Sequence, residues 1–272
     1  MYLSVTAYIA VANQKGGVGK TTTTINLGST LGKRDQRVLV VDLDPQANAT
    51  SGLGQRKDAA ESMYQVLLDG TPIQEAIVAT GFPNLDLARS STAMAGVEVE
   101  LVSELARESR LRDALRPLEG TYDVILVDCP PSLGLLTVNA LTACRQVLIP
   151  LQCEYFALEG LAQLLAAVDL VRDRLNGELR VFGVVMTMED RRNRLSVQVV
   201  DDVRRHFPRE VFDTRIPRSV RLAEAPSYGR PVDEYDPASR GAQAYAALAS
   251  EMTARLRAEL PIELPAPVAA HG

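Results

Sequence analysis

The sequence predicts an α/β fold: a mostly parallel, twisted β-sheet flanked by helices on both faces. Short apolar runs at 8–12, 38–41, 85–88, 124–127, 147–151 and 181–186 are rich in Val, Ile and Leu. Several lack any polar break, as expected of strands buried on both faces. Between them lie segments of helical period at 21–31, 98–115, 158–175, 196–206 and 239–260. Strands and helices in alternation build parallel crossovers whose helices cover the sheet. A chain of 272 residues buries one large core, and no internal repeat divides it. One domain is therefore expected over 1–260, with 261–272, which holds three prolines, as a frayed tail.

Composition narrows the function classes. Net charge is −5, so the chain as a whole is no basic nucleic-acid binder, and any DNA contact needs a local patch. No apolar run reaches bilayer length, and residues 1–6 lack the regions of a signal peptide. Cys129, Cys144 and Cys153 have no metal-like spacing and do not form a disulfide framework. A cytoplasmic protein is expected. The first strand starts so near residue 1 that no separate DNA-reading domain is expected before it.

That strand, 8–12, runs into Lys15-Gly16-Gly17-Val18-Gly19-Lys20-Thr21-Thr22 and then an amphipathic run. Strand, glycine-rich loop and helix start is the phosphate-cradling arrangement of the P-loop NTPase type. Its glycines let the backbone turn N–H groups toward an anion. Lys20 supplies a point charge to β/γ-phosphates and Thr21 a hydroxyl for Mg²⁺. The loop is unusual in carrying Gln14 where the common pattern has glycine, and a second lysine, Lys15, at its mouth.

The second strand, 38–41, ends in Asp42-Leu43-Asp44-Pro45. Two residues apart, Asp42 and Asp44 are expected on one side at the carboxyl end of a strand, where open α/β sheets bind ligands. The strand 124–127 delivers Asp128 in the form that serves an Mg²⁺ shell. Alone, each Asp fits a strand-end turn or helix cap equally well. Beside the glycine loop, metal and water roles are favoured.

Between 189 and 221 nine arginines stand against six acids. Such a run fits a solvated face neutralised by its own acids as well as a patch for duplex phosphates. Aromatic residues are too sparse there for base stacking on single strands.

These motifs together resemble the ParA/MinD group of deviant Walker ATPases, and the chromosome-partitioning ParA (Soj) branch in particular. The resemblance extends to Asp42-Leu43-Asp44-Pro45-Gln46-Ala47-Asn48, Asp128-Cys129-Pro130-Pro131-Ser132, Gln152-Cys153-Glu154-Tyr155-Phe156 and Ile216-Pro217-Arg218, and covers nearly the whole chain. It implies ATP and Mg²⁺ as cofactors and a homodimer sandwiching two ATP molecules with two-fold symmetry. Lys15 then reaches across to the partner's phosphates, Lys20 acts in its own site, and Asp44 positions the attacking water. Thr21, Asp42 and Asp128 belong to the Mg²⁺ network. Pro217 and the residue two later contact the base region, where relatives commonly have Asn and this chain has Ser219.

The resemblance further implies slow hydrolysis stimulated by a ParB-type centromere-binding partner. It also implies non-specific, ATP-dependent binding to duplex DNA of the nucleoid, with Arg191, Arg218 and Arg221 as the contacts. Two other classes compete. A MinD-like membrane-surface ATPase needs an amphipathic C-terminal helix, but 260–267 is proline-broken and acidic, so no membrane partner is expected. An iron–sulfur reductase needs a bridging cysteine pair, and Cys129 and Cys153 lack that context.

Overall fold

The computed structural model describes residues 6–154, 157–190 and 192–259. The strands are β1 (Ala7–Val11), β2 (Val38–Asp42), β3 (Ile77–Ala79), β4 (Leu85–Ala88), β5 (Val124–Asp128), β6 (Gln146–Gln152), β7 (Arg180–Glu189) and β8 (Val211–Pro217). They form one sheet in the order β3-β4-β2-β5-β1-β6-β7-β8, parallel throughout except for the β3–β4 pair. The helices are α1 (Lys20–Gly32), α2 (Asn48–Gly52), α3 (Met63–Leu68), α4 (Met94–Glu100), α5 (Arg110–Leu115), α6 (Leu135–Ala143), α7 (Ala157–Arg174), α8 (Arg194–His206), α9 (Val220–Glu224), α10 (Val232–Tyr235) and α11 (Arg240–Glu259).

Strand alternation explains the two cores. Leu39, Val41, Ile125 and Val127 enter one apolar cluster, while Val38, Val40, Val124 and Leu126 enter the other. Period-two geometry sends neighbours to opposite faces, and both faces are covered, so every residue of β2 and β5 is buried. Ile25, Leu27 and Leu31 of α1 and Tyr245, Leu248 and Met252 of α11 pack on the second face. Leu136, Leu141, Leu161 and Leu164 of α6 and α7 pack on the first.

One expectation fails, and two strands, β3 and β8, stand outside the six expected. The segment 98–115 is not one helix: α4 passes into a 3-10 turn at Leu101–Ser103, and α5 begins only at Arg110. The break is held by buried Asn139 of α6, whose amide donates to the Arg107 carbonyl (2.8 Å) and accepts from the Leu111 N–H (3.1 Å). Ala106 turns the chain there with φ 54°. The unexpected strand β8 is polar at Asp213, Thr214 and Arg215, because it is the outer strand of the sheet beyond β7, where the Glu251 carboxylate accepts from the Asp213 and Thr214 N–H groups. The expected tail and Arg191 lie outside the described residues.

Candidate active site

Register places the site. Val11 of β1 stands opposite Asp128 of β5, and Asp128 stands opposite Asp42 of β2. The glycine loop and both carboxylates therefore leave the sheet at the carboxyl ends of three adjacent strands, the ligand edge of such folds.

In the loop, Gly17 (φ 75°) and Gly19 (φ 92°) adopt a left-handed backbone that side-chain-bearing residues resist. Gly19 is the N-cap of α1, so the loop ends on a helix N-terminus. Two side chains that sequence reasoning overlooked fix the loop's shape. Asn13 accepts from the Lys15 N–H (3.0 Å) and donates to the Pro150 carbonyl (2.8 Å), while Thr187 donates to the Val18 carbonyl (2.8 Å). Their only sequence signal is a polar residue beside a strand end.

The two lysines differ in setting. Lys20 is 6% exposed, and its Nζ donates to the Lys15 carbonyl (3.1 Å). Burial lowers its pKa, opposed chiefly by the Asp128 charge. The Lys15 side chain is 39% exposed at the rim and pairs with Glu154 Oε2 (2.7 Å) on the loop after β6.

Asp128 and Asp42 also differ. Asp128 Oδ1 accepts from the Thr24 hydroxyl (3.3 Å). Asp128 Oδ2 is buried without any hydrogen-bond partner. Burial first, and Asp42 second, hold the Asp128 pKa well above the usual carboxylate range. An orphaned carboxylate oxygen beside a threonine hydroxyl is a place a cation satisfies. Asp42 leaves no such oxygen. Its Oδ1 accepts from the Asp44 N–H (3.1 Å), and its Oδ2 accepts from the Thr50 N–H (2.8 Å) and hydroxyl (2.7 Å). Burial raises its pKa to about 6, against the pull of those Thr50 bonds. Protein donors already engage both oxygens of Asp42, so the orphaned Oδ2 of Asp128 is the more open carboxylate position for a cation.

Asp44 is 6% exposed, and its Oδ1 accepts from the Gln46 N–H (2.9 Å). Pro217 and Ser219 line a cavity of about 200 Å³ together with Gly19, Thr22, Thr187, Leu222 and Tyr245. An apolar recess thus opens directly beside the glycine loop.

The arginine stretch is thinner than its count. Arg215 pairs with buried Glu189 (2.6 Å), Arg204 with Asp213 (2.8 Å), and Arg221 with Glu224 (3.0 Å) and Asp236 (3.2 Å). Arg218 is exposed and makes no ion pair among the described residues. The three cysteines are buried and free, and no described helix is long and apolar enough to cross a membrane.

Comparison with known proteins agrees on one lineage. A family model described as an AAA domain matches residues 6–181. The sporulation initiation inhibitor protein Soj of Bacillus subtilis is 53% identical over 90% of this chain and 98% of its own. The chromosome partitioning protein ParA of Myxococcus xanthus is 51% identical, covering 91% and 88%. Among solved structures, a cobyrinic acid a,c-diamide synthase from Mycobacterium smegmatis with bound ATP analogue and magnesium superposes with TM-score 0.80 at 38% identity, covering 90% and 93%. The cell division ATPase MinD of Pyrococcus furiosus superposes at 0.75 and 26%, covering 91% and 98%.

Proposed function

This chain belongs to the ParA/Soj family of chromosome-partitioning ATPases, and we propose that it is a switch that ATP closes into a dimer on DNA. The observation that carries the reading is the unequal pair of lysines on one loop. Lys20 is buried in the cradle, where it serves its own nucleotide. Lys15 stands half exposed at the rim, held by an exposed ion pair worth about 1 kcal/mol or less. A partner's triphosphate is a far stronger counter-charge, so Lys15 is free to exchange Glu154 for it. Two loops meeting in this way make ATP the adhesive of the dimer, and loss of the γ-phosphate loosens it.

Within each protomer, Gly16, Gly17, Val18 and Gly19 wrap the phosphates, with Thr21 and Thr22 opening α1 beneath them. The recess lined by Pro217 and Ser219 receives the base. Thr21 and the free oxygen of Asp128 hold Mg²⁺, which when bound neutralises phosphate charge. Among the described residues no cluster of three His, Cys, Asp or Glu forms a metal cage, which suits a cation bound mainly through phosphates and water. The solved relative holding an ATP analogue and magnesium supports both cofactors. Asp44 positions the attacking water. Without a strong general base beside it, hydrolysis is slow, which suits a timer.

The output is non-specific duplex binding by the dimer on the nucleoid, with a ParB-type partner speeding hydrolysis. Of the arginines, Arg218 is the best placed contact, because acids already engage Arg221. ATPase rate measured alone, with plain duplex DNA and with liposomes tests this reading. A response to DNA alone supports it. A response to liposomes alone, with no ATP-dependent shift of duplex DNA at low salt, overturns the DNA output.

A further inference from the structure

Behind Asp44 lies a closed ring of hydrogen bonds joining segments that are distant in sequence. The Asp44 N–H donates to Asp42 Oδ1 (3.1 Å), and Asp42 Oδ2 accepts from the Thr50 hydroxyl (2.7 Å). Thr50 Oγ1 in turn accepts from the Ser90 N–H (2.9 Å). The Ser90 hydroxyl donates to the Asp44 carbonyl (2.7 Å), closing the ring. Asp42 ends β2, Thr50 lies in α2, and Ser90 follows β4, the neighbour of β2 in the sheet. Asp42, Thr50 and Ser90 have no solvent exposure.

We propose that Thr50 and Ser90 are positioning residues for ATP hydrolysis, acting through Asp44. The proposal rests on the reading of Asp44 given above. The ring grips the main chain of Asp44 on both sides, at its N–H through Asp42 and at its carbonyl through Ser90. The bond from Ser90 is not needed to close the local turn, because the Ala47 N–H already bonds the same carbonyl (2.8 Å). What it adds is a tie between the turn and the sheet. Holding a carboxylate against an attacking water is a matter of fractions of an ångström, and a misplacement of about 1 Å costs on the order of 100-fold in rate. The Thr50 hydroxyl both donates and accepts here, a pair of roles that an isosteric valine cannot fill.

The ring also explains how a carboxylate is accommodated at Asp42 with no solvent exposure. This carboxylate accepts one donor from Asp44 and two from Thr50 of α2, so it ties the Asp44 turn to that helix. The ring includes no residue of the glycine loop, so breaking one member is expected to leave ATP binding unchanged.

The test is steady-state hydrolysis by the full chain carrying Ser90→Ala, Thr50→Val or Thr50→Ser, with ATP affinity read separately by a fluorescent ATP analogue. Ser90→Ala and Thr50→Val are expected to lower kcat about tenfold with KM and analogue affinity within about twofold, and Thr50→Ser to stay near wild type. Because the effect runs through Asp44, adding Ser90→Ala to Asp44→Ala is expected to lower the rate no further. A Ser90→Ala kcat within about twofold of wild type overturns the proposal, as does an added loss in the double variant. An equal fall in analogue affinity marks a merely structural role and also overturns it. Should Thr50→Val fail to fold, Ser90→Ala and the double variant decide. If Asp44→Ala alone leaves kcat unchanged, the fault lies in the role given to Asp44, and the proposal falls with it.

Discussion

Asp42 and Asp128 end adjacent strands in register, and both are fully buried. Their spacing in the sequence announced a site but not the division of labour. Residues two apart share a side only while the strand continues. Here β2 stops at Asp42 and the backbone turns, so the Asp42 carboxylate accepts from the Asp44 N–H while the Asp44 carboxylate accepts from the Gln46 N–H. Nothing local in the sequence encodes that Thr50 folds back onto Asp42. The raised pKa of Asp42 has a consequence for stability. Its folded value of about 6 lies above the ordinary carboxylate value of about 4, so between those pH values the folded chain binds more protons than the unfolded one. Its contribution is therefore most favourable at low pH and is lost as pH rises through that window. In nucleotide-free and Mg²⁺-free protein, the unfolding free energy of wild type relative to Asp42→Asn is expected to fall between about pH 4 and pH 6. Urea titrations at both ends measure it, and a constant difference contradicts the assignment. Asp44→Ala is expected to bind ATP normally, hydrolyse it at a small fraction of the wild-type rate, and accumulate as the ATP-bound dimer, as read by chromatography with ATP and Mg²⁺.

At the scale of elements, helix–sheet contact is tight where small residues permit it. A methyl group added at Gly32, the last residue of α1, stands 2.2 Å from the Pro83 carbonyl oxygen just before β4. Backbone cannot step aside as a side chain can, so Gly32→Ala is expected to cost about 1–3 kcal/mol, seen as a lower thermal midpoint. The buried parallel strands were legible because continuous Val, Ile and Leu runs have few other readings, and all six expected strands are present to within a few residues. The sequence did not disclose β3, a three-residue antiparallel edge, or the break after α4. The edge is too short to carry a period, and the break depends on Asn139, which is remote in sequence. The arginine count left two readings open for a similar reason. Sequence composition cannot say that Arg215 is tied to Glu189 or Arg221 to Asp236. Arg218→Glu is expected to weaken binding to unrelated duplexes equally and to flatten its salt dependence, measured by fluorescence anisotropy across a salt series. Unchanged affinity removes Arg218 from the interface.

For the whole molecule, topology gathers the chemistry on one edge. The loop after β1, the carboxylates of β2 and β5, and Glu154 after β6 all emerge from four neighbouring strands. An apolar recess lies beside the loop, and Arg218 lies on its wall. In the proposed account, a dimer formed on this edge would present two arginine surfaces on one body, and ATP state would set DNA affinity by doubling the contacts. A cavity of about 420 Å³ lined by Gln14, Lys15, Pro131, Ser132 and Gln163 lies open beside Lys15, leaving that edge accessible to a second copy. Sedimentation of the Asp44→Ala protein with ATP and Mg²⁺, with ADP and Mg²⁺, and with Lys15→Ala added, tests the central claim most directly. The account predicts dimer mass with ATP alone and monomer mass in the other two. Monomer with ATP, or a dimer indifferent to Lys15, contradicts it.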